Sequence, residues 1–255
     1  MELRFTFNTV AALYDRARPG YPDGLFADAT AHLAKGERIL EVGSGTGKAT
    51  ASFARLGFPI LALEPGGNMI AAAKEALTGR DNVQFIETTF ENWTVEPGAF
   101  GLVTAAQAWH WVDPRVGFAK AFEALRPDGR LAVFGNAPAG MPGTLREDIA
   151  GIYEKYLPGY QSVVHEAAYR QGGPFGAMIE ASDLFGPVTY KCYPWKWPRT
   201  AESYTDHLRS TSHHRVMDER MRETILSEVA AVIEAHGGQF EEDYEAHLYM
   251  ATRKD

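Results

Sequence analysis

The sequence predicts an α/β protein built on a doubly wound, mainly parallel sheet of seven strands. Short apolar runs alternate with stretches of helical periodicity, and this alternation is typical of strands joined by crossover helices. A glycine-rich turn joins the first strand to its helix, as at the ligand-binding end of such sheets. The length of 255 residues suits a single domain of this class.

The first strand and its turn lie in the stretch RILEVGSGTGKAT. Residues 39–42 form an apolar run interrupted only by Glu41, which fits a buried parallel strand. Gly43, Gly45 and Gly47 follow, and glycine permits positive φ and close approach of the backbone to a ligand. The turn therefore directs backbone N–H groups and a helix N-terminus at one site.

The spacing of the three glycines separates the candidate ligands. A dinucleotide fingerprint would place its third glycine where Lys48 stands. A P-loop needs four residues between its glycines and a hydroxyl after the lysine, whereas Gly43 and Gly47 enclose three and Ala49 follows Lys48. The remaining pattern, E-x-G-x-G-x-G, resembles motif I of the class I S-adenosylmethionine-dependent methyltransferases. The alternative is a strand–turn–helix corner that binds nothing.

Composition excludes several other functions. A net charge of −8 argues against a nucleic-acid partner, because phosphate binding needs a basic face. The single cysteine excludes an intrachain disulfide and a Cys-based zinc cluster, and H-x-E and H-E-x-x-H patterns are missing, so we expect no metal. No stretch approaches ~20 apolar residues, so we expect no membrane partner and a cytoplasmic protein. The oligomeric state is undetermined.

The resemblance implies how the chain would hold S-adenosylmethionine as its cofactor. Residues 1–35 would form helices that cover the cofactor, with Tyr14 and Arg18 near its sulfonium and methionine carboxylate. A packing helix with a solvated arginine remains the alternative. Glu41 could face the ammonium group, and the glycines would pack against a ligand that lacks phosphates.

Glu64 closes the predicted second strand, residues 59–65, and lies 21 residues beyond Gly43. A carboxylate at this position can accept hydrogen bonds from both ribose hydroxyls of an adenosyl ligand. Dehydrogenases share this feature, and an exposed strand-end carboxylate is the plain alternative. The resemblance adds Pro65 and Met69 to the adenosyl side of the site.

Two further strand ends complete the predicted cofactor site. The resemblance places Thr89 and Phe90 at the adenine edge, after the third strand, 83–87. It places Ala106 and Gln107 beside the methionine part of the cofactor, at the end of the fourth strand. The following run, QAWHW, resembles the corresponding motif of small-molecule methyltransferases.

The second half of the chain is predicted to supply the acceptor pocket. The resemblance implies an inserted helical cap over about residues 137–187 and an antiparallel last strand, 244–252, within one methyltransferase domain, 1–255. Nothing in the spacing selects a catalytic residue, and the candidates are His110, Tyr153, His213 and His214. His110 could equally be a hydrogen-bonded structural histidine.

The resemblance therefore predicts methyl transfer from S-adenosylmethionine to a small-molecule acceptor by in-line displacement. Two alternatives remain from the sequence. A regulatory module could bind the cofactor without turnover, because the glycine motif reports binding and not chemistry. A nicotinamide-dependent dehydrogenase is disfavoured by Lys48 and by the aromatic residue Trp109 at the end of the fourth strand.

Overall fold

The computed structural model describes residues 18–159 and 168–255, so Tyr14 lies outside the described part of the chain. These residues form a seven-stranded sheet in the order β3-β2-β1-β4-β5-β7-β6. The strands are β1 (Ile39–Val42), β2 (Ile60–Glu64), β3 (Val83–Glu87), β4 (Phe100–Ala106), β5 (Leu125–Gly140), β6 (Thr189–Thr200) and β7 (Gln239–Thr252).

Helices connect these strands and cover the sheet. They are α1 (Asp23–Thr30), α2 (Lys48–Arg55), α3 (Gly67–Ala76), α4 (Pro114–Ala124), α5 (Gly143–Tyr156), α6 (Pro174–Ala181), α7 (Ala201–Ser210), α8 (Ser212–Arg215) and α9 (Glu219–Ala235). Asp113 caps α4 by accepting a hydrogen bond from Arg115 N, with Pro114 at the first helical position. No helix in the described ranges is long and apolar enough to cross a membrane.

The strand directions confirm the predicted fold class. Strands β1 to β5 pair in parallel, and β7 pairs antiparallel with both β5 and β6. Strand β6 lies at the edge of the sheet and contains Pro194 and Pro198. Proline lacks the N–H that an interior strand must donate, so an edge strand is where these residues fit.

Two apolar layers sandwich the sheet. One face packs against α4 and α6 through a cluster that includes Trp109, Phe118 and Ile179. The other face packs against α1 and α2 through Phe26, Phe53 and their neighbours. Both faces of the parallel strands are therefore buried, which explains their nearly continuous apolar sequences.

A third apolar cluster lies beyond the carboxyl ends of the parallel strands. It joins α5, α7 and α9 through residues such as Ile149, Tyr204 and Val229. The predicted cap, residues 137–187, contributes α5 to this cluster. Its other described helix, α6, packs on the sheet instead, through Phe175 and Ile179.

Some elements differ from their predicted forms. Strand β7 begins at Gln239, five residues earlier than predicted, because it continues along β6 beyond the end of β5. Helices α7 and α8 were not predicted, since this polar stretch carries its own side-chain caps rather than a long apolar periodicity. Strand β5 contains a bulge near its start, where Asp128 has φ of 60°.

Replacing Gly47 by alanine should destabilise the fold by about 2–4 kcal/mol. Gly47 has φ of +85°, and an added Cβ would lie 3.1 Å from Ala73 Cβ in α3, so left-handed strain and overpacking add. Gly79 is the matched control, because it has φ of +81° and open space around its Cβ position. Gly79→Ala should cost about 1 kcal/mol in urea unfolding. Equal losses in the two variants would contradict the packing argument.

Candidate functional site

A single cavity of about 710 Å³ lies at the carboxyl ends of the parallel strands. This volume falls within the roughly 300–1,000 Å³ typical of small-molecule sites. Its lower end is formed by the turns after β1, β2 and β4, and its upper end by α5, α7, α8 and the start of β7. The carboxyl edge of a doubly wound sheet is the position where ligands bind in this architecture.

The three glycines of the turn after β1 differ in the space that a side chain would have. All three glycines have positive φ. A Cβ on Gly43 would lie 2.5 Å from Ala108 Cβ, and one on Gly47 would press on α3. A Cβ on Gly45 would meet no atom within 4 Å, and Gly45 lines the cavity. Gly43 and Gly47 therefore serve packing, whereas Gly45 leaves an open cradle for a ligand.

Glu64 fastens this turn from the neighbouring strand. Its two carboxylate oxygens accept hydrogen bonds from Gly45 N and Gly66 N, each at 2.9 Å. Glu64 is 9% exposed, so the alternative of an exposed strand-end carboxylate is wrong. Burial raises the pKa of Glu64, and the two backbone amides partly offset this by favouring its charged form. Each oxygen keeps a further lone pair that can accept from a ligand hydroxyl.

Glu41 lies below the cavity and does not line it. Its side chain is fully buried within β1, and neither carboxylate oxygen has a hydrogen-bond partner in the described structure, although the Thr50 hydroxyl is close enough to favour the ionised form. Burial raises the pKa of Glu41 to about 7, and the charge of Glu64 adds to this rise. Contact between Glu41 and the cofactor stays a prediction.

The end of β4 is held in a strained conformation. Gln107 has φ of 50°, which is uncommon for a residue with a side chain. Its backbone N–H donates to Phe134 O at 2.8 Å, and its Nε2 donates to Asn136 O at 3.1 Å. These bonds to β5 hold Ala106 and Gln107 at the cavity wall.

Asn136 links this strand end to two other segments. Its Nδ2 donates to Gly20 O at 2.8 Å, and its Oδ1 accepts from Trp195 Nε1 at 3.2 Å. Asn136 is 1% exposed, so its amide makes these bonds in the protein interior. The segment after Arg18 is thereby held against the same end of the sheet as the glycine turn, and Arg18 lines the cavity.

The run from Trp109 to Trp111 places His110 at the cavity. Trp109 is buried in the core, and the next two side chains line the cavity. The Nδ1 of His110 forms a hydrogen bond of 3.1 Å with the Tyr169 hydroxyl. Tyr169 can pack there because Gly135 has no side chain. A Cβ at that position would lie only 2.6 Å from the Tyr169 ring. Tyr169 therefore fixes the orientation of His110.

His214 is engaged at both ring nitrogens. The Tyr153 hydroxyl lies 2.6 Å from Nε2 and the Thr211 hydroxyl lies 2.8 Å from Nδ1. Burial lowers the pKa of His214 to about 4, and nearby His213 and Arg222 lower it further, so the ring is neutral. Two predicted catalytic candidates, Tyr153 and His214, thus join α5 to α8 at the upper end of the cavity.

A buried ion pair borders the same upper end. Glu242 lines the cavity, is 4% exposed and has its Oε2 3.3 Å from Arg199 Nε. The Arg199 guanidinium stacks on Trp197, with 3.6 Å from Cζ to the ring centroid. Burial raises the pKa of Glu242 to about 7, and Arg199 opposes this rise.

The structure brings most of the predicted site residues to this cavity. Of the predicted cofactor and catalytic residues, those lining it are Arg18, Gly43, Gly45, Glu64, Pro65, Met69, Thr89, Phe90, Ala106, Gln107, His110, Tyr153, His213 and His214. Glu41 and Gly47 lie behind the wall. Lining residues that sequence reasoning missed include Tyr169, Tyr204, His207, Glu242 and Tyr244. No motif marks these residues, because they come from three distant segments.

Comparison with known proteins finds methyltransferases. Residues 40–133 match the family described as "Methyltransferase domain". An uncharacterised methyltransferase of Mycobacterium tuberculosis is 26% identical over 239 residues, which cover 92% of this chain and 88% of the relative. A demethylmenaquinone methyltransferase of Clavibacter sepedonicus is 28% identical over 134 residues, covering 50% of this chain and 55% of the relative.

Solved structures show the same fold. A protein from Anaeromyxobacter dehalogenans, assigned as a type II methyltransferase, superposes with a TM-score of 0.66 at 19% identity, covering 93% of this chain and 97% of the other. Phosphoethanolamine N-methyltransferase 2 of Haemonchus contortus, in complex with S-adenosyl-L-methionine, superposes with a TM-score of 0.57 at 13% identity, covering 100% of this chain and 61% of the other.

The family match and these relatives support a class I S-adenosylmethionine-dependent methyltransferase. The protein is an S-adenosylmethionine-dependent methyltransferase, and the part of the chain that matches the methyltransferase family is residues 40–133. The comparisons give no support to the alternatives of a dehydrogenase or a regulatory module without turnover.

Replacing Glu41 by glutamine should change how stability depends on pH. The pKa of Glu41 is raised to about 7 in the folded state, above an ordinary value of about 4.3. Between these pH values the folded state binds more protons than the unfolded state, so this group's contribution to stability is lost as pH rises through 7. Relative to the natural protein, the ligand-free Glu41→Gln variant should therefore gain about 2–3 kcal/mol between pH 5 and pH 8.

Urea unfolding at the two pH values measures this difference. Glu242 is present in both proteins, so its own titration cancels. Replacement of the exposed Glu123 by glutamine is the control for removing a carboxylate at the surface. A pH-independent difference between Glu41→Gln and the natural protein would show that Glu41 is not protonated in the fold.

Proposed function

We propose that the protein methylates a small molecule that enters the upper end of the cavity while S-adenosylmethionine occupies the lower end. The observation that carries this proposal is the continuity of the open cradle at Gly45 with a chamber walled by α5, α7 and α8. One cavity can thereby hold donor and acceptor together, and such positioning can lower a barrier by roughly 7–11 kcal/mol.

The lower end has the donors and acceptors that S-adenosylmethionine requires. Glu64 can accept from the ribose hydroxyls while it holds the turn through Gly45 N. Met69 and Phe90 offer apolar surface to the adenine, and Arg18 offers a cation to the methionine carboxylate. Bound S-adenosylmethionine would supply a methyl group carried on a positively charged sulfur.

The upper end favours an acceptor that is neutral or cationic. Among the described residues that wall it, Glu242 is acidic and none is Lys or Arg, and Arg199 lies buried outside the lining. His214 is neutral because burial lowers its pKa to about 4. An anionic acceptor would meet the Glu242 carboxylate in a poorly solvated chamber, which costs free energy.

His110 is the residue we propose for accepting a proton from the acceptor. It lines the cavity just beyond the end of β4, and the Tyr169 hydroxyl fixes its ring through Nδ1. His214 is unsuited, because burial lowers its pKa to about 4 and makes it a weak base. A base is needed only where the attacking group is a hydroxyl or an ammonium, because these carry a proton that must leave.

Calorimetric titration and a methyl-transfer assay test the proposed function. The protein should bind S-adenosylhomocysteine and not NAD(H), and Gly45→Ala should weaken that binding at least tenfold while Gly79→Ala should not. A panel of amines, alcohols, phenols and carboxylic acids with methyl-labelled donor should then show turnover of an amine, alcohol or phenol. Turnover restricted to carboxylic acids would contradict the acceptor class, and unchanged affinity in Gly45→Ala would contradict the cradle.

Replacing Glu64 by alanine should weaken S-adenosylhomocysteine binding by about 1.5–3 kcal/mol, the scale of hydrogen bonds to a charged group. The variant loses the ribose acceptor and also the partner of Gly45 N and Gly66 N. Glu87 ends the adjacent strand in register with Glu64 and does not line the cavity. Glu87→Ala is therefore the control, and equal affinities in the two variants would rule out the ribose assignment.

A further inference from the structure

A cluster of three potential metal ligands lies at the edge of the sheet, away from the methyl-transfer cavity. Cys192 on β6 pairs directly with His247 on β7, and Glu245 precedes His247 by two residues. All three side chains therefore lie on one face of the sheet. Their ligand atoms lie within 4.8 Å of one another, and none of the three residues lines the cavity.

His247 provides a second, independent observation. It is 2% exposed, and its Nε2 has no hydrogen-bond partner within the described structure. Buried ring nitrogens are usually satisfied, so an orphaned one needs an explanation. This Nε2 lies 3.6 Å from Glu245 Oε2 and therefore points towards the cluster.

The other ring nitrogen of His247 has the partner that a ligating histidine normally has. Its Nδ1 lies 2.8 Å from the Tyr190 hydroxyl, whose oxygen can accept the Nδ1 proton. A histidine that binds metal through one nitrogen generally donates its other N–H to an oxygen. Tyr190 would thus hold the Nε2 lone pair towards the cluster.

We propose that Cys192, Glu245 and His247 form a zinc site that clips the edge strand β6 to β7. Thiolate sulfur, imidazole nitrogen and carboxylate oxygen are the three ligand types that Zn²⁺ takes in proteins. Bonds of about 2.0–2.3 Å in a tetrahedron separate the ligand atoms by roughly 3.3–3.6 Å. The Nε2–Oε2 distance of 3.6 Å is close to this separation, and small side-chain rotations bring in Cys192.

The surroundings fit three protein ligands and one water. Cys192 is exposed and Glu245 is partly exposed, so the fourth position is open to solvent. Burial raises the pKa of the Cys192 thiol, and the charge of Glu245 raises it further. A divalent cation would offset the repulsion between the Cys192 thiolate and the Glu245 carboxylate. The thiol proton leaves to solvent as the S–Zn bond forms.

The proposal reverses the expectation from sequence that the chain holds no metal. That expectation rested on the single cysteine and on the lack of a short His/Glu motif. Cys192 and Glu245 are 53 positions apart in the chain, and the pairing of β6 with β7 brings them together. No pattern local in sequence reports such a pairing.

Metal titration of the tag-free, chelator-treated full chain tests the site. We expect one Zn²⁺ per chain by calorimetry, and a thiolate-to-cobalt charge-transfer absorption when Co²⁺ is used as the probe. Cys192→Ser should abolish that absorption and weaken Zn²⁺ binding at least tenfold. Tyr190→Phe should weaken it about tenfold to a hundredfold, as for outer-shell partners of metal ligands.

The control is His236→Gln, which removes an exposed histidine paired with Asp148 outside the cluster. This variant should bind Zn²⁺ as the natural protein does. Absence of Zn²⁺ binding in the natural protein, or affinity unchanged by Cys192→Ser, would overturn the proposal. Because Cys192 is exposed, its replacement by serine should leave folding and S-adenosylhomocysteine binding unchanged, which separates this test from that of methyl transfer.

Discussion

The hydrogen bonds of Glu64 to the glycine turn are the constraint on which the site depends. A turn with three positive-φ glycines has high conformational entropy when unfolded, so something must hold it in one conformation. The carboxylate of Glu64 does this from the adjacent strand, by accepting from Gly45 N and Gly66 N. The same carboxylate faces the cavity. One side chain therefore shapes the turn and is also the residue that we propose as the acceptor for the ribose hydroxyls.

Other parts of the cavity wall are held by buried polar contacts between segments distant in sequence. Asn136 joins the segment at Gly20 to Trp195 on β6, and its carbonyl accepts from Gln107. Tyr153 and Thr211 hold His214 between α5 and α8. Each contact holds in place a segment that forms part of the cavity wall. The upper end, where we propose that the acceptor binds, is consequently shaped mainly by helices, whereas the lower end is shaped by the turns after the strands.

The fold and many of the residues that line the lower end of the cavity were predictable from local sequence. The spacing of Gly43, Gly45 and Gly47 excluded phosphate ligands, and Glu64 followed at the distance expected for the neighbouring strand. These residues are predictable because consecutive strands of a doubly wound sheet bring their carboxyl ends to one edge. The prediction assigned one common role to the glycines, whereas the structure shows that Gly47 serves packing against α3 and lies outside the cavity lining.

The sequence by itself determined the sheet, its strand–turn–helix corner and the class of cofactor, because each depends on residues that are close together in the chain. The tertiary structure alone decided the acceptor chamber and the sheet-edge cluster. Glu242 lines the same cavity as α7 because β7 extends past β5, and Cys192 lies opposite His247 through the register of β6 on β7. Register and helix packing are set by the summed burial of many side chains, so no short motif records them.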